Sequence, residues 1–67
     1  MAALRSWRLE RARADAVPPY VIAHDATLAA IAAQQPDSET QLRGIAGMGP
    51  VKVERYGGDI LRVVRDT

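Results

Sequence analysis

The chain has 67 residues, no cysteine, a single histidine and a formal net charge of +1. That length is near the lower limit for a self-supporting core and leaves room for one small domain and no deep catalytic cleft. The missing cysteines remove disulfide staples and thiolate metal sites, and His24 alone cannot build a metal centre without several carboxylate helpers.

From Ala2 to about Ala14 the residues are Ala, Leu, Arg, Trp and Glu, nearly all good helix formers, with no Gly or Pro. They predict a first helix. Leu4 and Trp7, with Ala3 and Ala14 near the same meridian, mark its buried stripe. Arg11 falls within that stripe and Arg8 at its edge, so their stems are expected to lie along the core with the guanidinium groups in water. Trp7 reads as a core anchor rather than a base-stacking ring.

Val17-Pro18-Pro19-Tyr20-Val21-Ile22 reads as an extended crossing segment, because each proline pushes the residue before it out of the helical region. Val17, Val21 and Ile22 are expected to plug the core. Tyr20 either packs its ring or stands out as a stacking platform, and its apolar neighbours favour packing. Asp25 is then placed to cap a second helix through Ala33, with Leu28, Ile31 and Ala32 on the inner face and Pro36 closing the segment. His24 beside that cap reads as a surface or half-buried hydrogen-bonding residue, since catalysis would need a partner nucleophile that the chain lacks.

Ser38-Glu39-Thr40-Gln41 has the form of a capping box and predicts a short third helix running into Gly44 or Ile45. Next comes Gly47-Met48-Gly49-Pro50-Val51-Lys52. Closely spaced glycines permit a tight turn and a close approach, and Pro50 suits the first helical position. The new helix would aim free N–H groups at an oxyanion, with the Lys52 ammonium behind them. The same residues also suffice merely to stop one helix and start another. A fourth helix is expected over Pro50–Tyr56, a break at Gly57-Gly58, and a fifth helix capped by Asp59 with Ile60, Leu61 and Val64 facing inward.

Charge is unevenly spread. Residues 1–14 carry +3 (Arg5, Arg8, Arg11 and Arg13 against Glu10), 15–42 carry −4 (Asp15, Asp25, Asp37, Glu39) and 43–67 carry +2. If the ends meet in space, one face is basic, as contact with a polyanion would require. No apolar run approaches the ~20 residues of a bilayer span and the N-terminus lacks a secretion signal, which reads as a cytoplasmic chain with no membrane partner.

Three motifs stand in order at fixed spacing: Val17-Pro18-Pro19-Tyr20-Val21, Asp25-Ala26-Thr27-Leu28, and Ile45-x-Gly47-Met48-Gly49-x-x-Lys52-x-Glu54-Arg55-Tyr56-Gly57. Together, over about Leu4 to Val64, they resemble the HRDC domain, the helicase and RNase D C-terminal module, most closely the copies in bacterial RecQ-type and UvrD-like DNA helicases. The resemblance implies an all-α fold, a compact bundle of about five short helices with a helix-hairpin-helix-like element. It also implies a non-enzymatic domain without cofactor, cut from a larger ATP-dependent helicase chain and spanning residues 1–67 as one unit. The implied nucleic-acid contacts are Gly47, Gly49, Lys52 and Arg55, with Tyr20 at the aromatic of the Pro-Pro-Tyr motif, which some members expose to single strands. Ala23 departs from the Phe that members often carry there, leaving a smaller core and a poorer aromatic platform.

The expected function is an accessory module that binds single-stranded DNA or DNA junctions weakly, as a monomer. In it Arg8, Arg11, Lys52 and Arg55 neutralise phosphates, the hairpin amides orient the backbone and Tyr20 stacks a base. Neutralising about three phosphates would give a log–log salt slope of about −2. The alternative is a docking module for the parent motor domain in cis or for another protein, suggested by the acidic middle segment. An independent enzyme finds no support, because no nucleophile–base pair, metal cluster or nucleotide fingerprint is present.

Overall fold

The structure, a computed structural model, describes residues 1–66 and is helical throughout, with short connections. Its helices in chain order are α1 (Ala2–Asp15), α2 (Pro19–Ile22), α3 (Asp25–Gln34), α4 (Glu39–Arg43) and α5 (Pro50–Asp66). The molecule measures 28 × 24 × 19 Å, so its thin dimension holds about two helix layers. A single apolar cluster joins them: Leu4 and Ala12 from α1, Ile22 from α2, Leu28 and Ile31 from α3, Leu42 from α4, and Val53, Tyr56, Ile60 and Val64 from α5.

The first helix runs as expected and ends with Ala16 in the left-handed region (φ 56°), where the Ala16 N–H reaches the Arg13 carbonyl and the Val17 N–H the Ala12 carbonyl. This is a Schellman closure in which an alanine holds the position that glycine usually takes. Trp7 is half-buried and meets Tyr56 edge to face, with ring centroids 5.9 Å apart. Ala12, not Ala14, is the alanine that the core covers.

The double-proline segment is not extended throughout. Val17 and Pro18 lead in, with Pro18 at ψ 149°, but Pro19 opens the turn of helix α2. The restriction imposed by a proline acts on the residue before it, and nothing after Pro19 forces Tyr20 out of the helical region. A proline at the first helical position also wastes no donor. The turn sends Ile22 and Ala23 inward, while Val21 and Tyr20 remain exposed, against the expectation that Val21 would fill the core and Tyr20 would pack.

His24, with no side-chain cap hydrogen bond, occupies the N-cap of α3, and Asp25 is the first helical residue rather than the cap. The helix ends at Gln34, with Gln35 in the left-handed region (φ 50°) and Pro36 buried behind it. Ser38 caps α4 by accepting the Gln41 N–H, and Gln41 Oε1 returns to the Asp37 N–H rather than to Ser38, so the capping box closes one residue early.

The predicted break at Gly57-Gly58 does not occur: α5 is continuous over 17 residues. Its buried residues Val53, Tyr56, Gly57, Ile60 and Val64 keep helical phase straight through the glycines. Gly57 lies where α4 presses closest. A Cβ there would sit 3.1 Å from Val53 Cγ1 and 3.6 Å from Leu42 Cδ2. Two helix-interior glycines cost about 1–2 kcal/mol of propensity, less than the burial of Ile60 and Tyr56 together returns. Asp59 is therefore a mid-helix residue, 3.5 Å from Arg62, and Leu61 is only half-buried.

Candidate nucleic-acid interface

Between α4 and α5 the chain bends over Gly44 to Gly49. Two residues fasten the bend from beneath, Ile45 and Met48, both buried, whose N–H groups bond to the Leu42 and Ile45 carbonyls. Gly47 stands at φ 90°, a conformation that side chains resist, and a Cβ there would lie 2.2 Å from Thr27 Oγ1. Thr27, buried in the first turn of α3, donates its hydroxyl to the Ala46 carbonyl at 3.2 Å. The bend is thus docked against α3.

With Ile45 and Met48 turned inward, Ala46, Gly47, Gly49 and Val51 are exposed. The N–H groups of Ala46, Gly47, Gly49, Val51 and Lys52 have no acceptor among the described residues, whereas Val53 already bonds to Gly49. Gly49 has nothing within 4 Å of a would-be Cβ, so the approach to these donors is open. Lys52 is half-buried and makes no ion pair among the described residues. Arg43, the exposed last residue of α4, flanks the bend from the other side, a cation that motif spacing did not single out.

Thr27 also links the bend to the aromatic side of the molecule, because it lies in the turn that His24 begins. Tyr20 is 60% exposed and stacks on His24, with centroids 6.0 Å apart and planes inclined by 26°. Arg8, Pro19, Tyr20, His24, Asp25 and Ala26 line a shallow groove there. The sequence signal for the Tyr20–His24 contact was their four-residue separation, which becomes meaningful once Pro19 starts a helical turn.

The α1 arginines are placed differently from expectation. Arg8 does not hold its guanidinium in water: its side chain is 14% exposed, donating to the Ala23 carbonyl at 3.0 Å and pairing with Asp25 at 2.7 Å. It ties α1 to the α2–α3 connection, and its hydrogen bond, then its charge, holds the Asp25 carboxyl below the ordinary carboxylate range. Arg11 pairs with Asp15 one turn along, through two hydrogen bonds, one of them Nε to Oδ2 at 3.3 Å. That contact raises the Arg11 pKa and lowers that of Asp15, which also accepts the Tyr56 hydroxyl at 3.3 Å.

Arg55 is exposed, one turn from Lys52 on α5, and lies 5.5 Å from the Tyr56 ring centroid, with Arg11 at 5.9 Å from the same ring. Asp15 is held by Arg11 directly and feels Arg55 only through space. The structure brings Gly47, Gly49 and Lys52 together at the bend, places Arg55 beside Lys52, and keeps Arg8 in the fold's own bonding.

No helix among the described residues is long and apolar enough to cross a membrane, and no group of three or more His, Asp or Glu there could hold a metal ion. The HRDC domain family matches residues 1–64. Among curated proteins, the ATP-dependent DNA helicase UvrD2 of Mycobacterium tuberculosis is 47% identical over 62 residues, which is 92% of this chain and 9% of that protein. The ATP-dependent DNA helicase RecQ of Haemophilus influenzae is 34% identical over 65 residues, 97% of this chain and 10% of the relative. RecQ of Bacillus subtilis is 36% identical over 62 residues, again 10% of its length. The chain therefore spans about a tenth of the relatives it matches.

Proposed function

We propose that this chain, which belongs to the HRDC domain family, is an accessory module that holds single-stranded DNA for a DNA helicase, weakly and without reading sequence. The observation that carries this reading is the Gly44–Gly49 bend, where the N–H groups of exposed Ala46, Gly47 and Gly49 have no acceptor among the described residues, anchored from below and backed by Lys52. Backbone amides and an ammonium grip phosphates and ignore bases. Tyr20, on the adjoining groove, offers a face that any base can stack on.

Because Arg8 is spent on Ala23 and Asp25, and Arg11 on Asp15, the phosphate contacts fall to Lys52 and Arg55. Two contacts on a single strand give a log–log salt slope of about −1.4. Anisotropy of a rhodamine-labelled oligo-dT, titrated at several salt concentrations, measures it. Saturable binding with that slope, lost in Lys52→Ala/Arg55→Ala, supports the reading; no saturable binding at low salt overturns it.

A docking module is the second reading, favoured by Val51, an apolar residue 66% exposed beside the same bend. Amide chemical-shift mapping separates the two. Strand capture requires oligo-dT to move Gly47, Gly49 and Lys52, whereas docking leaves them still until a protein partner is added.

A further inference from the structure

Given the strand-binding reading above, we propose that the His24 imidazole is a further strand contact, one that grips a phosphate when protonated and so makes capture of single-stranded DNA tighten in acid. His24 is exposed and lies on the groove that Tyr20 and the first turn of α3 share. It is held in place by its stack on Tyr20 at 6.0 Å and by its N-cap position, which fixes its backbone at ψ 159°. It is also the chain's only histidine, so no other side chain of that type confuses the titration.

An imidazole gains a charge between about pH 8 and pH 5, and in its cationic form both ring nitrogens donate. A cation keeps its place on the Tyr20 ring, since the aromatic face attracts positive charge. The charged groups facing His24 come from each neighbouring element: Asp25 on α3, Arg8 and, through its influence on Asp25, Arg5 on α1, and the phenol of Tyr20 on α2. Asp25 faces the same imidazole, but its carboxylate is also paired with Arg8 at 2.7 Å, so it neutralises a cation at His24 only in part. A phosphate in the groove favours the cationic imidazole, and by linkage the strand draws a proton onto the protein as the proton draws the strand.

Anisotropy with oligo-dT, whose base does not titrate in this range, tests the inference from pH 8 to pH 5.5. Wild type should gain about two- to fivefold in affinity, the worth of one exposed ion pair, and its salt slope should steepen by about 0.7. His24→Asn keeps a residue suited to the N-cap and should lose the gain. His24→Lys carries its charge throughout and should bind at pH 8 as wild type does at pH 5.5. Wild-type binding that is independent of pH, or a gain that survives in His24→Asn, overturns the role of His24 alone. Absence of strand binding at every pH in low salt overturns it together with the strand-binding reading.

Discussion

Arg8 and Arg11 of α1 and Lys52 and Arg43 beside the bend carry equal formal charge and have different occupations. Arg8 and Arg11 are drawn into the structure, one on a buried carbonyl and Asp25, the other on Asp15. Lys52 and Arg43 make no ion pair among the described residues and border a loop in which the Ala46, Gly47 and Gly49 donors have no acceptor among those residues. A positive stretch of sequence is thus no guide to a binding face until the internal acceptors within reach of each guanidinium are known. Within α1, Arg8 and Arg11 serve the fold, and under the reading proposed above the bend supplies the contacts.

The sharpest test of the bend's construction is Gly47→Ala. A left-handed conformation and a Cβ placed 2.2 Å from Thr27 Oγ1 act together, and the expected loss is about 2–4 kcal/mol in urea denaturation. Arg8→Ala should follow at about 1–2 kcal/mol, because the buried Ala23 carbonyl loses its donor. A loss nearer zero would mean that α1's cations are as expendable as those at the bend. Ala16 provides the opposite case to Gly47, an alanine in a left-handed site that glycine fits better. Ala16→Gly should raise stability by up to about 1 kcal/mol, seen as a higher denaturation midpoint.

The ion pairs of α1 also predict an acid dependence. The carboxyls of Asp15 and Asp25 titrate lower in the folded chain than in the unfolded one, chiefly through their hydrogen bonds to Arg11 and Arg8. Their contribution is present in full above the ordinary carboxylate range near about pH 4 and is lost as pH falls through the lowered folded values. Asp15→Asn should therefore flatten the decline of stability between about pH 4 and pH 2, followed by circular dichroism. Smallest of all, Lys52→Ala should change stability by less than about 0.5 kcal/mol while cutting the salt slope of strand binding to about −0.7.

Much of the fold is legible in the residues themselves. Alanine and arginine write α1 plainly, Ser38 marks α4, and Gly47 and Pro50 mark the bend. What escapes is non-local or depends on direction. Pro18 and Pro19 look like an extended pair until one asks which residue each constrains, after which Pro19 is free to begin a turn. Gly57-Gly58 looks like a break unless Val53, Tyr56, Ile60 and Val64 are seen to share one phase across it. For the site, the bend can be read from spacing, but the exposure of Tyr20 on a helical turn and the capture of Arg8 cannot. Its acceptor, Ala23, is 15 residues away and is a backbone atom, invisible to any reading of side-chain types.

The anchoring of the bend by Ile45 and Met48 has a kinetic and entropic consequence. Loops that stiffen only on meeting a ligand surrender part of their contact energy to ordering, and those donors wait on a conformational search. Here the backbone geometry is settled once, when the core forms. A polyanion held as proposed above would meet donors already in place, with no ordering cost of the loop to set against its contacts.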